Sequence, residues 1–118
     1  MPAIKIKRIY EPVEKSDGYR ILVDRLWPRG IKKEEIHIDQ WMKEVAPSTE
    51  LRKWIHQDPE KWEQFIKKYQ AELKGSAALQ ELLDVIHDHK TVTLLYAAKD
   101  EKRNHALVLQ QFISKHVL

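Results

Sequence analysis

Two spacings of apolar residues run along this chain, and together they predict both strands and helices. Residues 3–10 alternate apolar and charged positions, which is typical of a strand with one solvated face. Residues 19–23 end in a continuous apolar run, Ile21-Leu22-Val23, which favours a strand buried on both faces. Residues 91–98 begin β-branched and continue apolar, so they predict a third strand.

Helical spacing dominates the rest of the chain. Residues 34–45 predict a short helix or a helical turn region. Three amphipathic segments follow, the first of them short, and each is preceded by a residue that commonly caps a helix N-terminus. These capping residues are Ser48, Asp58 and Ser76. A last helix is predicted from about residue 100 or 103 to residue 116.

The order of these elements predicts the fold class. Helices between the second and third strands act as crossovers, and crossovers favour parallel pairing. We therefore expect an α/β protein: a small three-layer fold with a short, mostly parallel sheet flanked by helices. At 118 residues the chain fits a single domain, residues 1–118. The connection over residues 10–19 is short for a helical crossover, which leaves the first strand pairing open.

The composition excludes several kinds of site. The chain has no cysteine, so a disulfide scaffold, a cysteine-ligated metal and a thiol nucleophile are excluded. No histidine spacing is typical of a zinc site, and no Gly-rich dinucleotide or Walker motif is present. We expect no metal and no cofactor. Without a signal peptide or an apolar run of bilayer length, we expect a cytoplasmic protein with no membrane partner.

The charge of the chain is uneven. Its formal net charge is +3, and residues 1–33 carry nine Lys and Arg against four Asp and Glu. A basic excess suits anions, from small phosphates to nucleic acid. The alternative is that most of these lysines are ordinary solvated surface residues. We expect no sequence-specific DNA binding, since no recognition helix rich in Arg, Asn or Gln is present.

The segment from Asp24 to Gly30, which reads DRLWPRG, is the best lead to a site because it directly follows the second strand. If the strands are parallel, their carboxyl ends meet at one edge, beside the N-terminus of the last helix. That edge would hold an anion between basic side chains. The predicted anion-binding residues are Arg25, Arg29, Tyr96, Lys99, Asn104 and Trp27. The alternative is an internal network in which Asp24 neutralises the arginines.

Candidate proton-transfer chemistry rests on His105 and Asp24. His105 lies in the first turn of the last helix, where it could act as an acid, a base or a hydrogen-bond donor. The alternative is a neutral histidine bonded to a loop carbonyl. Trp27 could stack on a nucleobase or a guanidinium, or pack over the end of the sheet.

Four segments carry a resemblance that covers the whole chain. They are DGYR at residues 17–20, VDRLWPRG at 23–30, APSTELRKW at 46–54, and TLLYAAKD at 93–100 with Asn104-His105. In these the chain resembles the bacterial DUF488 family, in its short YeaO-like branch. The resemblance implies a compact α/β domain of unassigned activity. The wider family often shows a Cys-His-Arg element where this chain has Asn104-His105-Ala106, and the missing cysteine argues against a thiol or metal role.

Three functions stay open at the level of the sequence. The first is a small enzyme, a hydrolase or transferase, acting on a nucleotide- or phosphate-like anion. The second is a nucleic-acid-binding module that uses the basic N-terminal segment with Trp27. The third is a non-catalytic accessory or stress-response protein. A concave pocket at the strand ends favours the first, and a broad basic face favours the second. A filled crevice favours the third. The sequence does not indicate the oligomeric state.

Overall fold

Four parallel strands form the centre of the fold in a computed structural model that describes residues 2–116. In chain order they are β1 (Ala3–Arg8), β2 (Tyr19–Leu22), β3 (Gln40–Trp41) and β4 (Thr91–Tyr96). Their order across the sheet is β1-β4-β2-β3, and all neighbours pair in parallel. The predicted α/β class with a parallel sheet is therefore confirmed.

The last strand lies between the first two. Leu94 of β4 aligns with Ile6 of β1 on one side and with Ile21 of β2 on the other. The short connection between β1 and β2 therefore spans the width of β4 and contains a 3₁₀ turn, Lys15–Asp17. This order settles the strand pairing that the sequence left open.

Four α-helices cover one face of the sheet. They are α1 (Thr49–Gln57), α2 (Trp62–Leu73), α3 (Ala77–His87) and α4 (His105–His116). The predicted caps at two of them are confirmed: the Oγ of Ser48 accepts from Leu51 N and the Oγ of Ser76 accepts from Leu79 N, both at 3.1 Å. The helices bury the alternate residues of β2 and β4 that face them, such as Ile21 and Leu94.

The opposite face of the sheet is covered by irregular chain. Leu22 and Leu95 face this layer, where Trp27 and Trp41 pack against them. The third predicted layer therefore exists, but α-helices supply only one side. Residues 34–45 do not form a helix: 3₁₀ turns at Lys33–Glu35 and Lys43–Val45 flank β3.

The free edge of β2 explains why residues 34–45 depart from the prediction. The amide of Asp39 donates to Arg20 O and that of Met42 donates to Leu22 O, both at 2.9 Å. Pairing with the edge of the sheet gives the backbone amides of this segment hydrogen-bond acceptors. A short isolated helix over residues 34–45 would be only marginally stable by comparison. Asp58 also differs from the prediction, because its side chain makes no cap hydrogen bond and a 3₁₀ turn, Pro59–Lys61, precedes α2.

The Ser76 cap allows a direct test of the helix assignment. We expect Ser76→Ala to lower the free energy of unfolding by about 1 kcal/mol, because the amide of Leu79 loses its acceptor. Urea unfolding followed by circular dichroism measures this change. Ser114→Ala is the matched control, since Ser114 is exposed within α4 and alanine is the better helix former. An equal loss in both variants would contradict the capping role.

Candidate functional site

A cleft of about 620 Å³ opens at the carboxyl edge of the sheet. The loop after β2, the loop after β4, the first turn of α4 and the facing sides of α1 and α2 form its walls. Because every strand is parallel, the ends of β2 and β4 lie at this same edge. A crevice outside the carboxyl ends of parallel strands is the usual place for a ligand in such folds.

Asp24 joins three elements at the floor of this cleft. Its Oδ2 accepts a hydrogen bond from Ala97 N at 2.9 Å, which links the ends of β2 and β4. Its backbone oxygen accepts from Trp41 Nε1 at 2.7 Å. Its Oδ1 lies 3.2 Å from His105 Nε2 and has no hydrogen-bond partner of good geometry among residues 2–116. Asp24 is therefore both a structural brace and a charge next to the imidazole.

The ring of His105 is oriented by two oxygens. Its Nε2 lies 2.9 Å from Val23 O, and a carbonyl can only accept, so Nε2 carries the hydrogen. The edge of the ring packs against Tyr69, with centroids 6.3 Å apart. The predicted proximity of His105 and Asp24 is thus present, together with the loop-carbonyl bond that was its alternative. An imidazole held in this way has Nδ1 as its remaining acceptor.

Arg25 braces the loop that precedes α1. Its Nε donates to Pro47 O and its Nη2 donates to Ala46 O, both at 3.1 Å, while Nη1 lies 3.5 Å from Glu44. The neighbouring carbonyl of Val45 accepts from the hydroxyl of Tyr69 at 2.6 Å. Burial raises the pKa of Tyr69, so this hydroxyl stays protonated and donates. Arg25 therefore lines the cleft with a side chain that the fold already engages.

Asn104 caps α4. Its Oδ1 accepts from Leu107 N at 2.8 Å and its Nδ2 donates to Asp100 O at 3.1 Å. Asp100 in turn accepts from the amides of Lys102 and Arg103, and these hydrogen bonds lower the pKa of its carboxyl. Both side chains thus shape the loop between β4 and α4.

The remaining predicted site residues separate into three positions. Arg29 and Lys99 are exposed and line the cleft. Trp27 also lines it, but its Nε1 donates to Ile31 O at 2.6 Å and its ring meets Trp41 edge-on.

Tyr96 is not among the residues that line the cleft. It is buried in the core on the helix side, because its position in β4 alternates with that of Leu95. Tyr96 is thus the one predicted residue that the structure does not bring to the cleft.

Three basic residues of the cleft were not predicted from the sequence. Arg52 and His56 stand four residues apart on α1, and Arg103 lies in the loop before α4. The spacing of Arg52 and His56 places them on one side of the helix, which was the available signal. Because these residues are distant from Arg25 in the sequence, the sequence did not indicate that they line the same cleft.

The cleft carries a surplus of positive charge. Its cationic side chains are Arg25, Arg29, Arg52, Lys99 and Arg103, and its carboxylates are Asp24 and Asp100. Within residues 2–116, no hydrogen bond or ion pair engages the side chains of Arg29, Arg52, Lys99 or Arg103. The same part of the chain holds no group of three or more metal-ligating side chains. Nor does it contain a helix long and apolar enough to cross a bilayer.

Comparison with known proteins assigns the family. A family model described as the inactive DUF488-N3 subclade matches residues 3–118. The chain belongs to the DUF488-N3i family. This confirms the DUF488 resemblance, and the match extends over the Asp24 segment and the Asn104-His105 pair alike.

Two uncharacterized bacterial proteins are similar to this chain in sequence over almost their whole length. The uncharacterized protein YeaO of Escherichia coli is 50% identical over 110 residues, which cover 93% of this chain and 96% of that protein. The uncharacterized protein Rv3073c of Mycobacterium tuberculosis is 43% identical over 111 residues, covering 94% and 93% respectively. No solved structure matches the chain. The YeaO-like branch is therefore confirmed at the level of sequence.

Proposed function

We propose that this protein binds a small anionic ligand, nucleotide- or phosphate-like, in the cleft at the carboxyl edge, and that it does so without catalysing a reaction. The observation that carries the proposal is the surplus of cationic over acidic side chains in one cavity of about 620 Å³. A cytoplasmic location is part of the proposal. Clefts lined by one sign of charge concentrate ligands of the other sign.

The state of the charged groups supports anion binding. The Asp100 carboxylate accepts from two backbone amides and forms no ion pair within residues 2–116, although the nearby charges of Arg103 and Lys102 also lower its pKa. The guanidiniums of Arg52 and Arg103 make no hydrogen bond or ion pair within residues 2–116. Such groups can grip a phosphate or carboxylate through two parallel hydrogen bonds. The crevice is also open rather than filled, as a binding role requires.

The family description supports a role without catalysis. The subclade that matches the chain is described as inactive, and the chain has no cysteine. The Asp24 and His105 contact of 3.2 Å is the observation that favours the alternative, a small hydrolase or transferase. In that case Nδ1 of His105 would serve as the proton acceptor. The binding role requires fewer assumptions, because the cations suffice for it.

The basic N-terminal segment gives less support to nucleic-acid binding. Lys5 Nζ donates to Ser16 O at 2.9 Å, and Lys7 pairs with Glu14 and Asp17. Arg20 is buried at 1% exposure. These three charges are engaged within the fold, whereas Lys32 and Lys33 stay exposed, so the segment offers a smaller free basic surface to a phosphate backbone than its sequence suggests.

The proposal is tested by removing cations from the cleft. We expect the double variant Arg52→Ala/Arg103→Ala to bind inorganic phosphate and adenosine monophosphate at least about tenfold more weakly than the wild type. The reason is that each substitution removes a charge-assisted hydrogen bond from the protein to the ligand. Isothermal titration calorimetry measures both affinities.

Matched controls lie next to the two arginines. The double variant Lys53→Ala/Lys102→Ala removes the same number of charges from the same segments, but neither residue lines the cleft. We expect this variant to bind like the wild type at physiological salt. Equal weakening in the two double variants would point to general charge rather than the cleft, and an absence of binding to the wild type would end the proposal.

A further inference from the structure

The cleft has an apolar side as well as a cationic one. Among the described residues, the large hydrophobic side chains that stand exposed are Tyr10 at 47%, Val13 at 50% and Leu26 at 62%. Two of these three, Tyr10 and Leu26, line the cleft. Exposed apolar groups concentrated at one cavity indicate a surface that a ligand covers.

The helix side of the cleft also carries apolar residues. Ile55 of α1, Pro59 of the 3₁₀ turn before α2, and Trp62 of α2 line this side of the cleft. The ring of Trp62 stacks on Phe65, with centroids 4.7 Å apart, so the indole is held in one orientation. Arg103 lies beside this wall, since it borders a second cavity together with Trp62. Arg103 and the Trp62 ring therefore line the same two cavities.

The loop side is held in place by named contacts. The hydroxyl of Tyr10 donates to Arg29 O at 3.0 Å, and the guanidinium of Arg8 lies 5.0 Å from the centre of its ring. These contacts fix Tyr10 against the loop that carries Leu26. Tyr10 is thus held in place without a ligand, which lowers the entropic cost of ordering this residue on binding.

We propose that the ligand is an aromatic anion of the nucleoside phosphate class, with its phosphate on the cationic side and its base between Leu26 and the Trp62 wall. This inference rests on the proposed function and narrows it. Inorganic phosphate would use the cations but leave the apolar walls exposed. A cavity of about 620 Å³ lies within the size range of sites for whole small molecules, about 300–1,000 Å³.

Three probes that each carry one phosphate test the phosphate site and the base site separately. Calorimetry with inorganic phosphate, ribose phosphate and adenosine monophosphate measures what the sugar and the base each add. We expect adenosine monophosphate to bind at least about tenfold more tightly than ribose phosphate, the increment expected of a stacked base. Octyl phosphate tests whether any apolar group suffices, and we expect it to bind more weakly than adenosine monophosphate.

Leu26→Ser with Val13→Ser as its matched control locates the base. Leu26 and Val13 are both exposed, so neither substitution should impair folding. Leu26 lines the cleft, whereas Val13 does not. We expect Leu26→Ser to weaken binding of adenosine monophosphate by about threefold or more while inorganic phosphate stays within about twofold. Val13→Ser should change neither affinity.

The outcomes distinguish the two proposals. If inorganic phosphate binds but adenosine monophosphate gains nothing over ribose phosphate, this inference is wrong and anion binding stands. Octyl phosphate binding as tightly as adenosine monophosphate would also overturn it, in favour of an aliphatic anion. If no phosphate-bearing probe binds, the proposed function fails and this inference fails with it.

Discussion

Replacing Gly18 by alanine is expected to cost at least about 3 kcal/mol of folding free energy. Gly18 has a φ of +67°, a conformation that side chains disfavour. A Cβ atom built there would stand 2.2 Å from the backbone oxygen of Thr91. Since Thr91 begins the central strand β4, neither backbone can move without disturbing strand pairing.

Gly75→Ala is the control for this substitution. Gly75 has a similar φ of +72°, but nothing lies within 4 Å of its added Cβ. It should therefore show only the backbone strain, about 1 kcal/mol. Thermal unfolding should show Gly18→Ala melting on the order of 10 °C below the wild type, and Gly75→Ala much closer to it. Equal losses would mean that the close approach to Thr91 has no energetic weight.

Asp17→Asn is expected to lower the free energy of unfolding by about 3 kcal/mol, because it leaves the buried charge of Arg20 without its counter-ion. Asp17 and Arg20 are 4% and 1% exposed, and their side chains form a direct ion pair. Arg20 Nε donates to His37 O at 2.7 Å, whereas its Nη2 has no hydrogen-bond partner among residues 2–116. The carboxylate is therefore the main compensation for this charge.

Glu44→Gln is the matched control, since it breaks the ion pair of Arg25 at 3.5 Å with a carboxylate that is 73% exposed. We expect this variant to lose less than about 1 kcal/mol, as surface pairs do. Guanidinium unfolding at neutral pH compares the two. A small effect at Asp17, similar to that at Glu44, would show that water or relaxation compensates the arginine.

Acid titration of stability gives the same pair a second readout. Burial by itself raises the pKa of the Asp17 carboxyl. The hydrogen bonds from the Glu14 amide, Lys7 and Arg20 outweigh that effect, so the pKa lies below its ordinary value. Between the folded and the unfolded pKa the unfolded state binds more protons, and the stability supplied by Asp17 is lost as pH falls through this window. Asp17→Asn should lose less stability than the wild type on acidification below about pH 4.

Local sequence determined most of the secondary structure. The Ser48 and Ser76 caps and the strand at Thr91 were predicted because each depends on spacing or capping within a few residues. The loop after β2 was identified for the same reason, since charged and aromatic residues directly follow a buried apolar run. Parallel pairing then predicted that Asp24 and His105 would meet, and the 3.2 Å contact agrees with that expectation.

Only the tertiary structure decided the rest. The place of β4 between β1 and β2, and the strand pairing at Trp41, depend on hydrogen bonds between backbone segments distant in sequence. The positions of Arg52 and Arg103 at the cleft were also decided by the tertiary structure, because they follow from how α1 and α4 pack on the sheet. Periodicity specifies which side of an element is buried, but the neighbour that it meets is chosen by the free energy of the whole packed arrangement.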